Sequence, residues 1–245
     1  MAGALTPARR RFAPRPLFTV LTLAACALFV RLGFWQWHKF GDRQLEWTRF
    51  ARGADTLLEL GARSLDEVPL YQRVSLTGTL DGTHQYLLDN RTYRGRAGYE
   101  VLTPLVRGAG RPLLLDRGWV PFSGSRRELP VVTPPAAAAQ PVTLSGRVAQ
   151  LPAAGLAAGH AAPDPHAPWP KVTSFPSPGE LSDAYGGPLE ARIVLLDAAA
   201  PFGYVRDWQP PGMTPLRHFS YALQWWSFAA LAIVVWAVMS IKRIP

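Results

Sequence analysis

Sulfur is scarce in this chain. Cys26 is the one cysteine among 245 residues, so no internal disulfide can form and a CxxCH haem attachment is excluded. Three methionines, one of them the initiator, and five scattered histidines supply no Met-rich or His-rich tract for copper handling. The motifs GxSxG, HExxH and GxGxxG are missing, as is a P-loop. No two acidic residues stand as a general acid and base. The expectation is that the protein is not an enzyme. A charge surplus in the middle is lacking too. The formal charge is +9, but Arg9, Arg10, Arg11 and Arg15 carry four of it before the first apolar run. Lys242 and Arg243 carry two after the last one. The rest of the chain keeps only +3, which does not make the basic face a nucleic-acid binder needs.

What the chain does have is two long apolar runs. Leu17 to Trp37 is 21 residues, close to the ~20 that cross a hydrocarbon core. Arg31 interrupts it near one end, where its stem can carry the guanidinium out to the headgroups. The second run, "FSYALQWWSFAALAIVVWAVMSI", covers 219–241 without a charge. Trp35, Trp37, Tyr221, Trp225 and Trp226 stand at the depth of an interfacial aromatic belt. Basic residues outside both runs put both termini in the cytoplasm. The expected organisation is a cytoplasmic segment 1–16, a first membrane helix 17–37, a periplasmic domain 38–217, a second membrane helix 218–241 and a cytoplasmic end 242–245. "LAAC" (23–26) matches a lipoprotein signal and "RRRF" (9–12) faintly a twin-arginine one. The apolar stretch after Cys26 argues against the first of these. The short leader and GC-rich composition favour a bacterial inner membrane over a mitochondrion.

Between the runs the pattern is that of strands. Residues 42–60 read as a helix leaving the membrane. "YQRVSLTGTL" (71–80) alternates apolar and polar residues, as a half-buried strand does. Further strands are expected at 84–90, 98–106, 111–122, 141–150 and 191–198, with "DG" and "RGAG" as turns. "VSLTGTL" is echoed by "VTLSGRV", each with a glycine two residues after the leucine. Glycines inside strands mark bends, so two such corners suit a small closed or half-closed antiparallel sheet. The proline-broken stretches 130–141 and 157–170 read as an exposed connection and a mobile loop, and 177–187 as a short helix ending at glycine. The fold class is a membrane-anchored α+β protein. Two transmembrane helices flank a mostly antiparallel, barrel- or sandwich-like β domain.

The histidines are the remaining candidates. His84 opens a strand at the rim. His160 and His166 surround Asp164 in a loop, where solvated side chains outweigh a weak metal site. His38 follows the first run and His218 precedes the second, so the two could face each other at one depth. At about 100° per residue, His218, Tyr221, Ala222, Trp225, Ala229, Ala232 and Trp236 share a helix face. A stripe of small residues admits another helix or a flat ring. A neutral imidazole there could ligate haem iron or simply cap the helix.

Several stretches, in order, match a known pattern. "LGFWQWHK" (32–39), with Gly33, Trp35 and Gln36, resembles LGxWQxxR. "VSLTGTLDGTHQYLLDNR" (74–91) is similar to a strand pair ending in arginine. "GYEVLTPL" (98–105) and "LLLDRGWVP" (113–121), with Arg117, Gly118 and Trp119, are similar to Gly-Tyr…Thr-Pro and Asn-Arg-Gly-Trp-Val-Pro. "RHFSYALQWW" (217–226) resembles His-Leu-x-Tyr-Ala-x-x-Trp. These are motifs of the surfeit-locus (Surf/Shy) family of cytochrome c oxidase assembly factors, and the resemblance runs over 32–236. Lys39 replaces the usual arginine and Asp116 the usual asparagine. Leu216 and Arg217 stand where polar residues are usual.

The resemblance implies assembly of a haem-copper terminal oxidase, with haem a held and passed to subunit I. Some bacterial members bind haem a, and the histidine implicated is His218 here. Tyr221 and Trp225 would pack on the porphyrin, with Arg217 or Lys39 at its propionates. The partners implied are subunit I, the haem a delivery machinery and membrane lipid. The alternative is a cofactor-free scaffold for a subunit I intermediate, with Trp119 as an anchor, although Arg117 to Trp119 read more readily as a segment that closes the β domain. A membrane-tethered sensor is a third reading, weakened by cytoplasmic ends too short for an output domain.

Overall fold

The computed structural model describes residues 10–53, 55–153 and 159–243. In chain order its elements are β1 (Arg10–Phe12), α1 (Pro16–Arg52), β2 (Leu57–Glu59), β3 (Arg73–Leu80), β4 (Tyr86–Tyr93), β5 (Arg96–Val106), β6 (Leu113–Pro121), β7 (Val142–Ala149), β8 (Lys171–Thr173), α2 (Pro178–Tyr185), β9 (Ile193–Leu196), α3 (Pro215–Met239) and β10 (Ile241–Arg243). They fall into two units. One comprises the chain up to Thr48 together with everything from Gly212, and the other is Arg49–Pro211.

The helical unit is an antiparallel pair with a two-stranded clasp, β1 on β10. Both helices are long and apolar enough to cross a membrane, and only 6% and 11% of their apolar windows are buried. α3 begins at Pro215, a few residues before the apolar run, because proline's fixed φ suits a first helical turn and its missing N–H costs nothing there. It ends before Ile241, which pairs with Phe12 instead. α1 does not stop at the end of its apolar run but continues to Arg52. The separate helix expected over 42–60 is therefore corrected. Residues 42–52 extend α1, whereas Leu57–Glu59 form a strand parallel to Arg73–Ser75. Helix propensity there is a weak prior. The parallel ladder and the packing of Leu58 and buried Leu60 into the core override it.

The β unit is one eight-stranded sheet, mostly antiparallel, whose pairings close on themselves. β3 pairs with β7, β7 with β9, β9 with β6, β6 with β5, and β5 again with β3. Every link in this ring is antiparallel except β6–β9. β3 and β4 follow one another along the same edge of β5, with Leu80 opposite Leu105 and then Tyr86 opposite Leu102. Inward positions of all five ring strands form one cluster that includes Val74, Leu76, Leu105, Leu115, Leu144 and Val194. A second cluster lies under α2 around Tyr86, Leu102 and Leu181. α2 starts at a capping box between Ser177 and Glu180 and ends at left-handed Gly186, as the pattern of 177–187 predicts.

The echoed glycines sit where the ring turns. Gly78 is the last β3 residue paired with β7, and Thr79 already faces Val106 of β5. A Cβ on Gly78 would stand 2.5 Å from the Val106 carbonyl oxygen, and one on Gly146 would stand 2.6 Å from that of Leu195. Neither gap admits a side chain, so both positions let a second strand approach.

Two connections differ from expectation. Residues 130–141 are not simply exposed: Val132 and Ala138 are buried, and Ala138 joins the ring core from a short 3-10 turn. Of the loop 157–170, residues 157 and 158 lie outside the described residues. The rest is held in place. Ala161 bridges to Ser174, Thr173 Oγ1 donates to the Ala161 carbonyl at 2.6 Å, and buried Lys171 donates to the carbonyls of Asp164 and Pro165. Nothing in composition announces this tethering, because its side-chain donors, Lys171 and Thr173, lie outside the loop.

Candidate functional site

The helices of the hairpin approach along small residues. Ala222 and Ala229 of α3 are buried, and the Cys26 thiol lies 3.6 Å from the Ala229 carbonyl. Trp225 stacks on Phe29 with ring centroids 5.8 Å apart. Further along, Trp226 lies across Gly33, where a Cβ would be 2.2 Å from its indole nitrogen. Only glycine permits that approach. The stripe of small residues on α3 thus packs on α1 at Ala222 and Ala229, while Ala232 lines an apolar cavity of about 470 Å³ together with Leu21, Ala25 and Phe29.

One turn beyond Gly33 comes Gln36, 8% exposed. Its Oε1 lies 2.8 Å from Nδ1 of His218. An amide oxygen only accepts, so with Oε1 in this orientation Nδ1 is the donor. Nε2 has no hydrogen-bond partner among the described residues. This arrangement is the one metal-ligating histidines use, with one ring N–H tied to an acceptor and the other nitrogen offered to the metal. The first and last motifs of the chain, 182 residues apart, therefore make one site.

The other residues of that expectation are placed differently. Tyr221 is 43% exposed at the edge of the face. Trp225 already has Phe29 on one side. His38 does not meet His218. It is exposed, and two residues past Gln36 it points about 200° away around the helix. Lys39 is exposed and pairs with Asp42 at 3.7 Å. Trp35 is exposed, while Trp37, Phe40, Phe219 and Trp226 form a chain of ring contacts beside the His218 pair.

In the β unit, Arg117, Gly118 and Trp119 work inward. The Arg117 guanidinium is buried, which lowers its pKa. Its Nε donates to the Phe202 carbonyl at 2.7 Å and its Nη1 to that of Val132 at 2.7 Å, and the group lies over the Tyr204 ring. Gly118 has φ +109, and a Cβ there would meet the Val205 carbonyl at 2.6 Å. Trp119 is buried, and its backbone bridges to Val205. The triplet ties residues 202–205 to β6. Trp119 is a closing residue, not an exposed anchor. Asp116 beside it is wholly buried. Burial first, and the charge of Glu100 second, push its carboxyl well above the usual range, against a hydrogen bond from Gly118 N–H and the charge of Arg91.

His84 is fixed by Asp81 at 2.7 Å and flanked edge-on by Trp169 and Tyr185. His160 pairs with Glu180. Among the described residues no three potential metal ligands come together. The resemblance singled out Gln36, but its partner was hidden from the sequence, although Gly33 and Gln36 at i, i+3 share a helix face.

No curated protein matches the chain. The model of the SURF1 family matches residues 23–230, which includes both Gln36 and His218. Members of that family are assembly factors, so membership implies a role in cytochrome c oxidase assembly and association with oxidase components. Matched from the first quarter of α1 into the second half of α3, the chain belongs to the SURF1 family.

Proposed function

We propose that this protein holds haem a for transfer to subunit I of a haem-copper oxidase, with His218 as the residue that would ligate its iron. The observation that carries the reading is the Nδ1–H bond to Gln36, which leaves Nε2 open for iron. The donor chemistry fits: a neutral imidazole with an acceptor behind it is a haem ligand of the usual kind. Tyr221 at the rim and the outer side of Trp225 would contact the porphyrin, and Arg217 would face its propionates. A single exchangeable ligand suits haem a as cargo handed on from a delivery protein. The hairpin is read as spanning a bacterial inner membrane. Its exposed apolar surface is that of a lipid-facing helix pair, not of a soluble core. The basic clasp would be cytoplasmic, and the β unit, its closed ring read as a small barrel, periplasmic.

The test is a redox difference spectrum of protein purified in mild detergent from cells that also make haem a. A haem a band in the wild type, lost in His218→Ala with helical content unchanged, is the expected result. An unchanged spectrum in the variant would remove His218 as ligand. One observation favours the scaffold reading: Ala222 and Ala229 of the α3 stripe are buried and Trp225 stacks on Phe29 of α1, so this part of the stripe is taken up by the helix pair. Oxidase subunits co-purifying with no haem band in either protein would select it.

A further inference from the structure

We infer that Gln36 is a positioning residue that selects the Nδ1–H tautomer of His218 and thereby sets which nitrogen, and how basic a one, meets the iron. The inference rests on the haem reading above and deepens it.

A neutral histidine side chain in water favours the opposite tautomer, with the proton on Nε2. Left alone, His218 would offer Nδ1, the more hindered nitrogen, next to its own backbone. The 2.8 Å contact to Gln36 Oε1 reverses that preference. The contact is held by packing. Gln36 is nearly buried, and one turn away the indole of Trp226 occupies the space a Gly33 side chain would need. That close approach fixes the spacing of the helices where the bond forms. Removed from water, a hydrogen bond of this kind gains strength.

The identity of the acceptor matters as much as its position. A carboxylate behind a ligating imidazole draws its proton and makes the other nitrogen more basic. A neutral amide orients the ring without that push. The ligand is therefore defined in direction but moderate in strength, which is what a carrier that must release its cargo needs. Gln36→Glu is expected to convert the site from carrying towards retention.

The experiment uses the full chain in detergent micelles, 15N-labelled at histidine, with His218 assigned by its loss in His218→Ala. In the apo protein the wild type is expected in the Nδ1–H form and Gln36→Leu predominantly in the Nε2–H form. Wild-type His218 in the Nε2–H form, or the same tautomer in both proteins, overturns the inference. Titration with haem a then supplies a second readout. Gln36→Leu should bind about 10–100-fold more weakly. Gln36→Glu should bind more tightly, with a lower haem reduction potential and slower release to apo-myoglobin as acceptor. Equal affinity in wild type and Gln36→Leu also overturns it. If the wild type binds no haem a, the proposed function falls, while the tautomer measurement still decides what Gln36 does. Should Gln36→Leu fail to fold, the wild-type tautomer and the Gln36→Glu titration decide alone.

Discussion

Arg107 and Arg117 of the β unit and His218 of the helical hairpin use their polar groups in opposite ways. The two enclosed guanidiniums are turned to internal use. Arg107 donates to the carbonyls of Gly61, Arg63 and Arg111 and pairs with Glu190 at 3.0 Å, while Glu190 also accepts from Ser64 and the Leu65 N–H. Arg117 reaches three segments at once. Such groups specify a fold and have nothing left for a ligand. In the hairpin, His218 is fixed through one nitrogen and open at the other. The contrast separates motifs that build the fold from one that keeps a ring nitrogen without a partner, a distinction their spelling does not make.

The comparison can be broken at its strongest point. Glu190→Ala leaves the enclosed Arg107 cation without its counter-charge, where both side chains are under 5% exposed. A loss of about 3–5 kcal/mol is expected, read as a lower denaturation midpoint of the purified protein. Arg117→Met strands the carbonyls of Phe202 and Val132 and should cost about 2–3 kcal/mol, with proteolytic cleavage near 202–206 as the local readout. Gly33→Ala forces the Trp226 indole away and should cost about 1–3 kcal/mol by overpacking. Because the Gln36 contact lies one turn off, this variant should also weaken haem a binding, whereas Arg117→Met should leave the tautomer of His218 unchanged. A shifted tautomer in Arg117→Met would blur the line drawn between the two units.

The smallest effect is at Asp116 and depends on pH. Burial raises its carboxyl in the folded state, so the folded protein holds that proton more tightly than the unfolded chain. The stability this contributes is complete below the ordinary aspartate pKa and is lost as the pH rises towards the raised value. Asp116→Asn keeps an oxygen for the Gly118 N–H and removes the ionisation. The variant should melt higher than the wild type at neutral pH, with a gap that narrows on acidification. A gap independent of pH would show that Asp116 is not the group titrating.

The strands were legible because alternation reports which face is buried, and β3, β5, β6 and β7 lie within two residues of their expected limits. The corner glycines were legible because close approach leaves a residue type behind. The short strands β2 and β8 were not: each has three residues, too few for a period, and each exists only because a neighbour offers a parallel edge. The burial of Val132 and Ala138 was also out of reach, since prolines around them signal a break in secondary structure but say nothing about depth.

For the site, His218 stood out from its place at the head of an apolar run, and Gly33, Gln36 and the Arg-Gly-Trp triplet from the resemblance. Composition and periodicity determined two apolar helices, a strand-rich middle and the absence of familiar catalytic signatures. Only the tertiary structure decided that Gln36 meets His218, that α1 packs on the stripe beside it, and that Trp119 faces inward. The physical reason is range. Periodicity and propensity act over a few residues, whereas a hydrogen bond between two helices depends on how closely their backbones pack, set here by one glycine under one indole.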